Sequence, residues 1–127
     1  MSDTEVMEDD QITQHFSRSE FACKCSCGAD HISRDLVAKL ETVRLLYGQA
    51  LKVTSGVRCS THNDGVGGKP NSEHVKGLAA DLLVRNSSER FRLMGLCINE
   101  FPRVGVAREF IHVDIASDKS RHVLWTY

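Results

Sequence analysis

No apolar run in the sequence approaches the ~20 residues needed to cross a bilayer as a helix. Charge of one sign is not in excess either. Sixteen Lys and Arg face seventeen Asp and Glu, so the balance offers nothing to nucleic acid or to an anionic membrane. A secretory leader pattern is missing: Met1 to Asp10 is acidic and polar where a signal has a basic and then an apolar region. The expectation is synthesis in the cytoplasm without a signal peptide. Internal repeats and low-complexity tracts are absent as well. A fully pairable set of cysteines is also lacking, because five is odd. What remains is a 127-residue chain, enough for one domain that buries a core without staples. It is expected to be a monomer, with residues 1–13 a flexible acidic N-terminus and 14–127 the domain.

Three of the cysteines, Cys23, Cys25 and Cys27, alternate along the chain. Neighbours at i and i+2 rarely form a disulfide of good geometry. The spacing also differs from the paired Cys-x₂-Cys of zinc knuckles, which favours reduced thiols in a turn. The alternative is a thiolate cluster, with Cys59, around a second metal.

The clearest helix is expected over about 33–47. Ser33 stands as N-cap, Asp35 suits the first turn, and Leu36, Val37, Leu40, Val43 and Tyr47 recur at helical spacing before Gly48. A second helix is expected over about 87–99. It opens on Asn86 and Glu89 in a capping-box pattern, carries Phe91, Met94 and Ile98, and stops at Pro102. Strands are expected at 51–54, 78–84, 104–107, 110–115 and 123–127. Residues 58–72, rich in Gly and polar side chains, read as a long functional loop. Two principal helices with a run of strands predict an α+β fold with a mainly antiparallel sheet.

The stretch Ser72 to Asp81 places an imidazole, His74, seven residues before a carboxylate, Asp81. A second imidazole, His112, follows in Phe-Ile-His-Val-Asp. Two His and one carboxylate form the three-ligand set that leaves a zinc ion one open position, an arrangement of catalytic sites. His112 and Asp114 emerge on one face of their strand, and strands about 4.8 Å apart let such side chains converge. His15, His31 and His122 carry no such pattern and read as surface or satisfied core residues.

Ser72-x-His74-x-x-Gly77-x-Ala79-x-Asp81 with His112-Val113-Asp114 resembles the zinc D-alanyl-D-alanine carboxypeptidase family, which shares its fold with the hedgehog signalling domain. Ser55-Gly-Val-Arg58, His62-Asn63 and Gly67-Gly68 resemble the family's upstream motifs. Phe16-x-x-x-Glu20-Phe21 and Trp125-x-Tyr127 are similar to its small single-domain phage and prophage branch. The likeness spans nearly all of 15–127.

The resemblance implies that His74, Asp81 and His112 bind Zn²⁺, which acidifies a water and polarises the scissile carbonyl. It implies that Arg58 steadies the developing oxyanion. Glu109, three residues before His112, resembles the Glu-x-x-His base of the family's dipeptidases and endopeptidases; it needs a bend to reach the same face. Asp114 is either an orienting partner of His112 or the base itself. His62 is expected to line the substrate groove and Ser72 belongs to the ligand motif. Val57 stands where the family has an aromatic, which would loosen one groove wall, and Glu73 is expected to face solvent.

The implied activity is a zinc peptidase acting on the peptidoglycan stem peptide, as a D-Ala-D-Ala carboxypeptidase or an endolysin. Its site of action would be the cell wall or periplasm after release. The alternative is a non-catalytic, zinc-containing binding module of the hedgehog type.

Overall fold

A computed structural model describes residues 10–127. Most of the expected flexible N-terminus, residues 1–9, therefore lies outside the described residues. Its last part is tied down: the N–H groups of Ile12 and Thr13 both donate to the Phe16 carbonyl, at 3.0 and 3.1 Å. A 3₁₀ turn, Arg18–Phe21, follows and drives Phe21 into the core beside Phe16.

Helix α1, Arg34–Tyr47, forms as its caps dictate. Ser33 Oγ accepts from the Leu36 N–H, and Gly48 closes the helix in the left-handed conformation at φ 79°. All five apolar positions of the periodic stripe are buried. Two short helices follow, α2 (Ser60–Gly65) and α3 (Glu73–Lys76), and then the long α4 (Ser87–Glu100). In α4 Asn86 Oδ1 accepts from Glu89 N–H at 2.9 Å, while the Glu89 carboxylate reaches back to Arg85 N–H at 3.0 Å.

The inward face of α4 differs from the expected one. Leu93 and Cys97 are buried, whereas Phe91 is 75 % and Ile98 44 % exposed. Both sets fit a helical period, so spacing alone does not choose between them. Leu93 and Cys97 pack into the core with Met94 and Leu96 against it, and Arg92 adds a contact by donating to the Tyr47 carbonyl at 3.1 Å and lying 4.7 Å over the Tyr47 ring.

Five strands form one sheet: β1 (Val53–Ser55), β2 (Ala79–Leu83), β3 (Arg103–Val106), β4 (Phe110–Asp114) and β5 (Val123–Thr126), ordered β1-β2-β4-β3-β5. The fold is α+β as expected, but the sheet is mixed because β5 runs parallel to β3. The reason is topological. Strand β4 is already paired on both edges, to β2 and β3. A strand returning antiparallel to β4 must therefore take the free edge of β3, and it is then parallel to β3. His122 and Val123 begin it by donating to the Pro102 carbonyl.

Alternation sorts the sheet residues into two faces. Ala80, Leu82, Val104, Ile111 and Val113 join α1 and α4 in the core. Asp81, His112 and Asp114 emerge on the face away from those helices, with Asp81 directly opposite His112 in the register. Among the described residues no helix is long and apolar enough to cross a membrane.

The N-terminal segment is docked on α1 by Glu41, which accepts from the His15 amide at 2.9 Å and pairs with its Nδ1. Burial acts to raise the Glu41 carboxyl, but the hydrogen bonds from His15 outweigh it and hold it below its ordinary 4.5. A lowered folded-state value stabilises above the ordinary one, and the contribution is lost as pH falls through the lowered value. Glu41→Gln is therefore expected to lower Tm at pH 7, with the gap to wild type closing in acid. A gap unchanged between pH 7 and pH 3 in thermal melts would show that the charge does not matter.

Candidate metal centre and active site

The seven-residue spacing from His74 to Asp81 is one helical turn followed by entry into a strand. Ser72 Oγ accepts from His74 N–H at 3.2 Å and starts α3. Gly77, at φ 76°, ends it. A side chain at Gly77 would be strained at that φ and would meet the His31 carbonyl. The chain then runs into β2, where Asp81 points back towards His74. Ser72 is thus a cap that places a ligand, and His74 sits on a helix where a loop was expected.

The three side chains converge. Asp81 Oδ1 is 3.2 Å from His74 Nε2 and 3.0 Å from His112 Nδ1, and all three groups are buried. Each imidazole is held from behind. His74 Nδ1 donates to the Gly56 carbonyl at 2.7 Å, and His112 Nε2 donates to Asp114 Oδ2 at 2.7 Å. Those acceptors take the ring protons, so the lone pairs of Nε2 on His74 and Nδ1 on His112 face the Asp81 carboxylate. Three mutually facing acceptors within 4.8 Å are what a small cation satisfies. The residues fit zinc, for which they would supply three ligands at the floor of the cavity.

Asp114 stands behind His112. Its second oxygen lies 2.8 Å from Arg103 Nε and 3.1 Å from the Ala116 N–H donor, and the residue is 1 % exposed. With both oxygens engaged, the arrangement is a carboxylate–histidine pair behind a ligand, not a free base.

Arg58 lies on the opposite side of Asp81. Its Nη2 is 3.5 Å from Asp81 Oδ2, its Nε donates to Ser55 Oγ at 3.1 Å, and its Nη1 donates to Asn63 Oδ1 at 3.2 Å. The backbone is fixed as well, with Arg58 N–H donating to the His74 carbonyl. Asn63, fully buried on α2, also donates to the Lys69 carbonyl at 2.7 Å and so ties the glycine loop to the arginine. Sequence reasoning gave Asn63 no role. The signal was present in an amide among exposed polar residues, but burial was needed to read it.

A cavity of about 580 Å³ opens over this face. Arg58, Lys69, Glu73, Lys119, Trp125 and Tyr127 line it together with the ligands and Asp114. Glu73, expected to face solvent, is 3 % exposed and pairs with Lys119 at 2.8 Å and Lys76 at 3.3 Å. His62 is half-buried on α2 and is not among the lining residues. Val57 packs in the core, so its departure from an aromatic does not alter a groove wall.

Glu109, expected as the base, stands apart from the three converging side chains. It occupies the turn between β3 and β4, is exposed, and does not line the cavity. The bend it needs is there, but that bend closes a hairpin: Ala107 N–H donates to the Phe110 carbonyl, and Val84 N–H to the Glu109 carbonyl. Strand alternation runs regularly from Phe110 onward. Glu109→Gln is expected to retain zinc and to keep activity within about twofold, as an exposed substitution away from the site should. A loss of a hundredfold or more in kcat at unchanged zinc would restore it as the base.

A sequence model of the family described as peptidase M15 matches residues 14–114. That segment contains Arg58, the three ligands and Asp114. No curated protein matches the chain.

Proposed function

The chain belongs to the peptidase M15 family of zinc peptidases, and we propose that it hydrolyses a peptide bond in the peptidoglycan stem, one that involves D-alanine. The observation that carries this reading is the convergence of His74, Asp81 and His112 beside a fixed guanidinium at the floor of one cavity. Zinc held there supplies Lewis acidity and a nucleophile available at neutral pH. The chain's own groups do the rest. Asp114 and the Gly56 carbonyl hold the two imidazoles in the ligating tautomer. Arg58, pinned by Ser55 and Asn63, offers a preorganised positive charge to the carbonyl oxygen as it becomes negative.

The cavity suits a short acidic peptide. Lys69 is exposed on the rim and makes no ion pair among the described residues, so it is available to a substrate carboxylate. Phe110 and Tyr127, with ring centroids 5.1 Å apart, and Trp125, 5.4 Å from the His112 ring, form an apolar wall for a small side chain such as the alanine methyl. Action at the cell wall, as an endolysin or as a carboxypeptidase, belongs to the same proposal.

A stem pentapeptide ending in D-Ala-D-Ala, incubated with the zinc-loaded protein, should release free D-alanine or a fragment cut within the stem. If that peptide stays intact while an unrelated peptide is cut, the protein is still a zinc peptidase but the peptidoglycan assignment falls.

A further inference from the structure

A second group of ligands lies outside the cavity. Cys23, Cys25, Cys27 and Cys59 bring their four sulfurs within 4.8 Å of one another. Cys25 Sγ stands 3.4 Å from both Cys23 Sγ and Cys59 Sγ. Thiolates ~2.3 Å from a tetrahedral zinc are about 3.8 Å apart, so the observed separations bracket a Cys₄ site. The fifth cysteine, Cys97, is buried in the core and takes no part.

We propose that these four cysteines bind a structural zinc ion, distinct from the one at His74, Asp81 and His112. Cys-x-Cys-x-Cys does not supply ligands in the usual knuckle pairs, which by spacing alone points to reduced thiols. The fold resolves this with three ligands from one loop and the fourth from a distant segment. The loop curls because Ser26 and Gly28 adopt left-handed conformations, φ 71° and 84°, and the Cys23 N–H closes it on the Ala29 carbonyl at 2.8 Å.

Backbone donors are already aimed at the sulfurs. Cys59 N–H points at Cys23 Sγ, Ala29 N–H at Cys27 Sγ and His62 N–H at Cys59 Sγ, each at 3.4 Å. Amide donors of this kind stabilise negatively charged sulfur and orient it toward a metal. Cys23 is buried, Cys59 half-buried, and Cys25 and Cys27 exposed, so the ion has an entry path. Binding would displace the thiol protons to solvent and leave four thiolates around a divalent cation, a net charge of −2. No electron is transferred.

The ion would hold the cysteine loop against residues 56–59. That segment carries Arg58 and the Gly56 carbonyl that orients His74. The loop already touches that segment through the Cys59 N–H at Cys23 Sγ, and the turn just before it does too: Val57 N–H donates to the Phe21 carbonyl at 2.8 Å, and a Cβ at Gly56 would meet that oxygen at 2.6 Å. Metal at the cysteines therefore fixes the rear of the active site without entering it.

The test is metal stoichiometry with cobalt(II) spectroscopy on protein kept reduced throughout. Wild type should hold two zinc per chain. Asp81→Asn and the double variant Cys25→Ser/Cys27→Ser should each hold one. Cobalt-substituted wild type and Asp81→Asn should show thiolate-to-metal charge-transfer absorption, and the cysteine variant should lose it. Asp81→Asn leaves the cysteines untouched, so the signal does not depend on the cysteine variant folding or on the peptidase reading. Charge-transfer absorption absent from Asp81→Asn with four titratable thiols would overturn the proposal. So would a mass deficit of two or four hydrogens in freshly isolated protein, which would mean disulfides.

Discussion

Arg58→Met is expected to lower kcat by roughly 10²–10³ while leaving the zinc content of the protein unchanged. The size follows from how the guanidinium is held. Ser55 and Asn63 each occupy one of its donors, and its backbone is bonded to His74, so the side chain is already in place before substrate arrives. A donor that needs no reorganisation stabilises charge that appears only in the transition state, so its loss falls on kcat rather than KM. Asp81 holds the same guanidinium at 3.5 Å, close enough to orient it and too far for a strong hydrogen bond. Arg58→Lys keeps the charge but not the fork, so it should recover only part of the loss. Asn63→Ala, which frees one donor and unpins the Lys69 loop, should fall between the two. Equal activity in Arg58→Met and wild type, at matched zinc, would remove the arginine from the mechanism.

The second large effect is expected at Asp81. Asp81→Asn removes the one carboxylate on which both imidazoles converge. The amide is isosteric but neutral and carries a donor where two lone pairs point, so the metal loses a ligand and its charge compensation together. Activity should drop to background. Added zinc in the millimolar range should not restore it, whereas wild type stripped by a chelator should recover fully when zinc is returned. The fold should survive, because Asp81 lies on the sheet face away from the helical core. Far-UV circular dichroism matching wild type, with activity absent, is the expected pair of results. Retained activity in the variant would mean that another group completes the metal site.

The convergence of His74 and Asp81 was legible in the sequence because their pattern is local: Ser72 caps the turn that carries His74, Gly77 ends it, and β2 presents Asp81. The α1 stripe was legible for the same kind of reason, with caps at both ends and five buried positions in phase. What failed depended on contacts distant in sequence. The inward face of α4 is the one whose Leu93 and Cys97 meet the core built by α1 and the sheet. The direction of β5 was decided by which sheet edge was still free.

Glu109 had the right separation from His112 for the family's Glu-x-x-His, but separation in sequence does not say which way a hairpin turn aims a side chain. Glu73 looked like a surface acid until two lysines, one of them 46 positions further on, buried and paired it. The cysteines show the same limit. Three alternate within one loop, and the fourth is supplied by a segment that only the tertiary fold brings to them.

The most direct test is mass spectrometry of purified peptidoglycan fragments incubated with chelator-stripped protein, before and after zinc is restored. The expected result is no change with the stripped protein, then products whose masses account for one added water per bond cut. Intact fragments at every zinc level, with metal bound at His74, Asp81 and His112, would contradict hydrolysis and leave the site a binding module.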